Sequence, residues 1–277
     1  MSTGSQKTSG EARFARLRLS RKLIPIVLVG CATVGLALAA RAQSTASVES
    51  NQQLFAVMCA LHAAGYDAEV GAANLHPLRA QLRSELLQLQ GPATEALRAF
   101  YREHRLGDPA ANLSRYVSFA LVVGPAPRFE FLYRREALPT DVLTLEGFNE
   151  ILAAFYQEAQ IEKLWQRAQP YYEREIRRLG SPVGQVVVVA TSYLREVDRP
   201  LRGRRFAVYV EPMVGGKVNF RSFGDRYTVV LSPGAEVSVD DIRHAYLHFL
   251  LDPLAYRYSR SVQTRSKIGR ASCRERV

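Results

Sequence analysis

Cysteine is scarce in this 277-residue sequence, which contains three. Cys31 lies in an apolar run near the N-terminus and Cys273 in a basic stretch at the C-terminus, which leaves Cys59 for the body of the chain. One cysteine cannot form an intramolecular disulfide, so a disulfide-stapled scaffold is excluded, and in its apolar helical pattern Cys59 is expected to be a small core residue. Internal repeats and low-complexity linkers are also lacking, so about 220 residues can form one domain or two lobes.

An excess of positive charge is missing once the two ends of the chain are set aside. The whole sequence has 37 Lys and Arg against 26 Asp and Glu, a formal net charge of +11. Residues 1–42 hold seven basic and one acidic side chain and residues 267–277 hold four and one, so the charge of the remainder falls to +2. The high isoelectric point therefore gives no support for nucleic-acid binding, and no nucleic-acid partner is predicted.

The first 42 residues have the pattern of a secretory signal peptide. Six basic side chains precede an uncharged, mostly apolar run at residues 23–40, and Ala40-Arg41-Ala42 follows as an A-x-A cleavage site. This pattern predicts cleavage after Ala42, a mature chain that begins at Gln43, and an exported protein that is periplasmic or secreted.

Two alternatives remain for this N-terminal segment. The apolar run could stay uncleaved as a membrane anchor, because its length just suffices to span a bilayer. Leu28-Val29-Gly30-Cys31 resembles a bacterial lipobox, but the residues after Cys31 stay mostly apolar as far as Ala40, whereas a lipoprotein linker is usually polar. In each case membrane contact is expected only through the N-terminal segment.

The last segment, residues 267–277, resembles a translated reading frame of a common short-read sequencing adapter. It reads Lys-Ile-Gly-Arg-Ala-Ser-Cys-Arg-Glu-Arg-Val, and back-translation of these codons can reproduce such an adapter. We therefore interpret it as an artefactual tail and the protein as truncated soon after Arg260. A basic tail without fixed structure is the alternative, and neither interpretation predicts a folded element.

The first half of the remaining chain predicts a layer of α-helices. Apolar residues recur at helical spacing over residues 52–66, and proline at the start of the stretches 77–87, 92–104 and 109–122 is typical of a first helical turn. Further helices are predicted at residues 148–156 and 161–169, and the second continues after Pro170 to Arg178. Residues 180–184, which contain two glycines and a proline, predict a break.

After this break the apolar pattern changes to that of β-strands. Residues 185–193 are rich in valine, residues 205–211 alternate in polarity, and residues 227–231 form a third apolar run. Gly215-Gly216 predicts a turn between the last two runs, and residues 218–220 could extend a hairpin; a short strand is also predicted at residues 128–133. The sequence thus predicts an α+β fold, in which a helical N-terminal layer is followed by a small antiparallel sheet.

A final helix is predicted at residues 238–252. Ser238 is a suitable N-cap, and Pro253 is expected to end the helix at Asp252. His244, His248 and Asp252 recur at every fourth residue and share one stripe, although its outer members are about 12 Å apart along the axis. Two imidazoles at this spacing can hold one metal ion, so His244 and His248 are candidate zinc ligands.

Several segments of the C-terminal half occur in a recognisable order, namely Phe155-Tyr156, residues 161–165, Tyr171-Tyr172, the strands after Gly184, and the helix with His244-Ala245-Tyr246-Leu247-His248. In this order they resemble gluzincin-like metallopeptidases of the MA clan, whose helix carries His-Glu-x-x-His. The resemblance covers residues 145–260. It divides the chain into a helical region at residues 43–145 and a zincin-like α+β region at residues 146–260.

The resemblance implies zinc ligation by His244 and His248, with Ala245 at the position of the general-base glutamate. Alanine cannot activate a water molecule, and the family's third ligand, a glutamate on a later helix, falls beyond the expected truncation. Without the base, peptide hydrolysis loses a contribution of about 10²–10⁴-fold. The expected function is therefore that of an exported metallopeptidase-like protein, noncatalytic or severely impaired, that binds zinc weakly if at all.

Three alternatives to this interpretation remain. The protein could be an active zinc metallopeptidase with a non-standard base, for which Glu211 and Asp241 are candidates. It could be a metal-free periplasmic scaffold, whose partner would be a protein or a peptide. The two histidines could simply form hydrogen bonds in a partly buried helix, with Asp252 in the last turn or orienting an imidazole.

Overall fold

The structure is a computed structural model that describes residues 46–66, 76–194, 203–215, 219–233 and 239–259. The expected signal peptide, the tail at residues 267–277 and the capping residue Ser238 lie outside the described residues. Among the residues that are described, no helix combines the length and the apolar character needed to cross a membrane.

The fold is α+β, as the sequence predicts. In chain order the elements are β1 (Ala46–Glu49), α1 (Gln52–Ala63), α2 (Pro77–Leu87), α3 (Pro92–His104), α4 (Pro109–Val122), a 3-10 turn (Arg135–Ala137), α5 (Thr140–Leu143), α6 (Phe148–Glu158), α7 (Ile161–Leu194), β2 (Arg205–Val210), β3 (Asn219–Phe223), β4 (Arg226–Leu231) and α8 (Val239–Arg257).

The starts of the N-terminal helices follow from local sequence signals. Pro77, Pro92 and Pro109 each occupy the first turn of a helix, where the missing amide proton has no intrahelical partner to lose. The side chain of Asn51 accepts a hydrogen bond from the backbone N–H of Leu54 at 2.7 Å and so caps α1. The predicted helical layer is confirmed.

The predicted break at residues 180–184 and the predicted strand at residues 185–193 are wrong. Helix α7 runs without interruption from Ile161 to Leu194 and contains Pro170 and Pro182. In its C-terminal half this helix buries Leu179, Val183, Val186 and Ala190. Their spacing of three or four residues places them on one helix face, and packing of that face overrides the strand propensity of the valines.

The sheet is mixed rather than wholly antiparallel. Its strand order is β1-β2-β4-β3. Strand β3 pairs antiparallel with β4 across a turn at Gly224 and Asp225, whereas β2 pairs in parallel with both β1 and β4. The hairpin of the structure joins β3 to β4, and the parallel pairing of β2 with β4 means that these two are not the arms of a hairpin; Gly216 of the predicted turn lies outside the described residues. Strand β1 was not predicted, and residues 128–133 contribute an isolated bridge from Phe131 to Val123 in place of a strand.

The sheet separates two apolar cores. Because successive side chains of a strand point to opposite faces, Ala207 and Tyr209 of β2 join the core of the helical layer. Phe206, Val208 and Val210 join the second core, which is completed by the C-terminal half of α7 and by α8. Both faces are thus covered, which accounts for the almost continuous burial of β2 and β4.

Helix α8 does not end at Asp252, as the proline rule predicts. It continues through Pro253 to Arg257, and most residues of this extension are exposed. Pro253 has no N–H to donate to the carbonyl of Phe249, four residues earlier, and the guanidinium of Arg204 donates to that carbonyl at 2.8 Å in its place. The extension leaves His244, His248 and Asp252 within one continuous helix.

Candidate metal site

One face of α8 fixes the orientation of the histidine pair. The helix buries Ile242, Ala245, Tyr246, Phe249 and Leu250 in the second core. Helical geometry turns the residues between them, including His244 and His248, toward the opposite side. The pair therefore lies at the protein surface.

The two imidazoles converge on one point. The Nε2 atoms of His244 and His248 are 3.1 Å apart, and the ring centroids are separated by 4.7 Å with an interplanar angle of 69°. His244 is exposed, and the side chain of His248 is 34% exposed. Solvent and dissolved ions can reach both ligand nitrogens.

Asp252 completes a chain of contacts along the stripe. Its Oδ1 atom lies 3.0 Å from Nδ1 of His248. A carboxylate only accepts hydrogen bonds, so Nδ1–H of His248 donates and the lone pair of the neutral ring lies on Nε2. In the absence of metal this lone pair accepts Nε2–H of His244. The same tautomer of His248 is the one that binds a metal through Nε2.

The pair has the geometry of two zinc ligands but not of a complete site. Two nitrogens at about 2.0–2.1 Å from a tetrahedral zinc ion are about 3.3 Å apart, close to the spacing found here. In the described ranges no group of three or more His, Cys, Asp or Glu side chains could hold a metal ion. Asp252 contacts the far nitrogen of His248, so it would orient this ring and would not act as a third ligand.

Ala245, which the resemblance aligns with the general-base glutamate of gluzincin-like peptidases, faces the protein interior. Ala245 has 0% of its surface exposed and belongs to the second core, between the sheet and α7. Position 245 therefore turns away from the exposed side on which the histidine nitrogens meet. A longer side chain there would have to displace core residues or redirect itself around the helix.

Glu211, one of the two alternative bases, lies in the other core. It follows β2 and is 0% exposed, and both of its carboxylate oxygens lie 2.9 Å from the hydroxyl of Tyr172. The backbone N–H of Met213 donates to it at 3.0 Å, and both Tyr172 and Met213 belong to the core of the helical layer. Burial raises the pKa of Glu211 to about 8. The structure does not bring this carboxyl to the histidine pair.

Asp241, the other alternative base, is exposed in the first turn of α8, three residues before His244. It lies on the histidine side of the helix. Asp241 therefore lies on the same surface as the histidine pair, whereas Glu211 is buried.

A buried polar group escaped the sequence analysis. The ring of His62, which is fully buried in α1, donates from Nε2 to the carbonyl of Met213 at 2.9 Å and accepts from Arg83 at 3.1 Å. Burial lowers the pKa of His62 to about 4. A histidine in an apolar helical pattern gives no local sign of such a partner, because Met213 comes from a distant segment.

Two grooves lie elsewhere in the described part of the chain. One, of about 430 Å³, is lined by residues of β1, β2 and β4 that include Arg205 and Arg226. Another, of about 300 Å³, lies around α5 and includes Tyr133. Neither groove is lined by His244 or His248. No protein-family model, curated protein or solved structure matches this chain.

Proposed function

We propose that this chain is an exported metallopeptidase-like protein that has lost peptidase chemistry and binds zinc weakly through His244 and His248. The observation that carries the proposal is the convergence of the two Nε2 atoms at 3.1 Å. The contact between Asp252 and Nδ1 of His248 supports it, because metal-binding histidines usually donate their other ring N–H to a carboxylate or carbonyl.

The proposed loss of chemistry rests on what surrounds the pair. Zinc, when bound, would supply a Lewis acid at the surface of α8. This chain's residues would orient it, but Ala245 offers no proton acceptor and is buried in the core. With a two-histidine donor set and no base, we expect weak binding and no turnover of peptides.

Zinc titration of the purified chain tests the proposed site. We expect weak binding that His244→Ala abolishes, because one imidazole alone does not chelate. His104→Ala is the matched control, since His104 lies on α3 and stacks on Phe100. Zinc binding unchanged by His244→Ala would refute the site, and a metal-free scaffold would then be the better proposal. Zinc-dependent peptide hydrolysis by the unmodified chain would refute the loss of activity.

Export is proposed from the N-terminal sequence. Cleavage after Ala42 gives a mature protein that begins at Gln43. We expect N-terminal sequencing of protein recovered from the periplasm to read Gln-Ser-Thr-Ala. An intact Met1 on membrane-bound material would instead support the uncleaved anchor, and a lipid on Cys31 would support the lipobox.

A further inference from the structure

The histidine pair leaves half of a zinc coordination shell open. Zinc in proteins is almost always tetrahedral with four ligands, and His244 and His248 supply two. Both ligand nitrogens lie on an exposed helix face, so the open half of the shell points outward from the protein. A second chain that supplied two more ligands would have to approach from this side.

Two exposed apolar side chains lie on the same side of α8 as the pair, Leu251 within one turn of His248 and Tyr258 about 15 Å further along the axis than His248. Leu251 is 40% exposed and Tyr258, which continues the helical hydrogen bonding from Leu254, is 53% exposed. At about 100° per residue, both lie within roughly one-sixth of a turn of His244 when viewed down the helix axis. Leu251 therefore offers apolar surface next to the histidines to a second chain that approaches this side of α8.

The charge of the site also suits a symmetric pair. Four neutral imidazoles leave the two positive charges of zinc uncompensated. Two copies of the chain bring two Asp252 carboxylates, each 3.0 Å from Nδ1 of its own His248. These two carboxylates offset the charge of the zinc ion where it is held, although Asp241 on the same side of each helix and Arg204 near Asp252 also contribute to the local charge.

We infer that zinc joins two copies of this chain through a four-histidine site built from His244 and His248 of each copy. The inference rests on the proposed zinc binding by these residues and adds the source of the missing ligands. A two-fold axis through the metal would relate the copies, so that Leu251 of each contacts the face of α8 on the other. Apparent zinc affinity should then rise with protein concentration, because zinc binding and dimerisation are linked.

Analytical ultracentrifugation with and without zinc chloride tests this inference. We expect a monomer in EDTA and a dimer with one zinc ion for every two chains once zinc is added. His244→Ala should abolish the dimer. Leu251→Ser keeps both ligands but removes apolar contact, and should weaken dimerisation about tenfold or more. The matched controls are His104→Ala and Leu132→Ser, the latter at a leucine that is 57% exposed away from α8.

The outcomes separate this inference from the proposed function. Zinc bound by a monomer at every protein concentration would overturn the inference and leave the proposed site intact. A dimer that persists in EDTA would overturn it as well. No zinc binding at all would refute both the site and the dimer.

Discussion

Replacing Ala245 with glutamate should lower the free energy of unfolding by about 3–5 kcal/mol, because a charged side chain would enter a packed apolar core. Ala245 is 0% exposed and shares the second core with Phe206 and Phe249. The substitution recreates the His-Glu-x-x-His motif of the resembling family, yet we expect it to yield no peptidase activity, since the third ligand would still be missing. The substitution would therefore restore the sequence motif without restoring peptide hydrolysis.

Urea unfolding of Ala245→Glu and of the unchanged chain measures this effect. Ala255→Glu is the matched control, because Ala255 is exposed on the same helix. Without added zinc we expect the control to change stability by less than about 0.5 kcal/mol. The loss in Ala245→Glu should shrink at acid pH, where a buried glutamate becomes neutral. Equal stability of the two variants at pH 7 would contradict the placement of Ala245 in the core.

Local signals in the sequence were sufficient for much of the helical layer. Pro77, Pro92 and Pro109 mark helix starts through their own ring geometry, which does not depend on the rest of the fold. The spacing of His244 and His248 likewise fixes their approach once a helix forms. These features depend on residues a few positions apart, and the sequence contains all of that information.

The errors arose where distant segments decide the structure. The valine-rich end of α7 looks like a strand by composition, yet Val183, Val186 and Ala190 have helical spacing and pack on α8 and the sheet. Strand β1 has four residues and exists through its pairing with β2, which lies far along the chain. Short apolar runs do not distinguish strand from helix, and the deciding contacts are not local.

The candidate site was predicted in part for the same reason. The resemblance aligns Ala245 with a glutamate of gluzincin-like peptidases, but the burial of Ala245 depends on which face of α8 meets the sheet. Glu211 ends an alternating strand pattern and could equally have faced solvent. Its place in the core depends on Tyr172, which is contributed by α7. Contacts between elements therefore decided which carboxyl lies near the histidines.

The same buried carboxyl should make the stability of the protein depend on pH. The pKa of Glu211 is about 8 in the folded protein, raised by burial from 4.5. Because the folded state holds this proton more tightly than the unfolded state does, the contribution of Glu211 to stability is fully present below pH 4.5. It is lost as the pH rises toward 8. His62 has the opposite sign, since its lowered pKa removes stability below pH 6.5. Between pH 6.5 and 8 the effect of Glu211 therefore dominates over that of His62.

In that window we expect the unchanged chain to lose about 2 kcal/mol of unfolding free energy, at about 1.36 kcal/mol per pH unit. Glu211→Gln should be nearly flat with pH, because an amide has no proton to lose, and should be the more stable protein at pH 8. Its carbonyl oxygen can still accept from Met213 N–H and Tyr172. Urea unfolding at half-unit pH steps measures this, with Glu103→Gln as the control, because Glu103 is an exposed residue of α3. If Glu103→Gln and Glu211→Gln showed the same dependence of stability on pH, Glu211 would be ionised in the folded protein at neutral pH and its pKa would not be raised by burial.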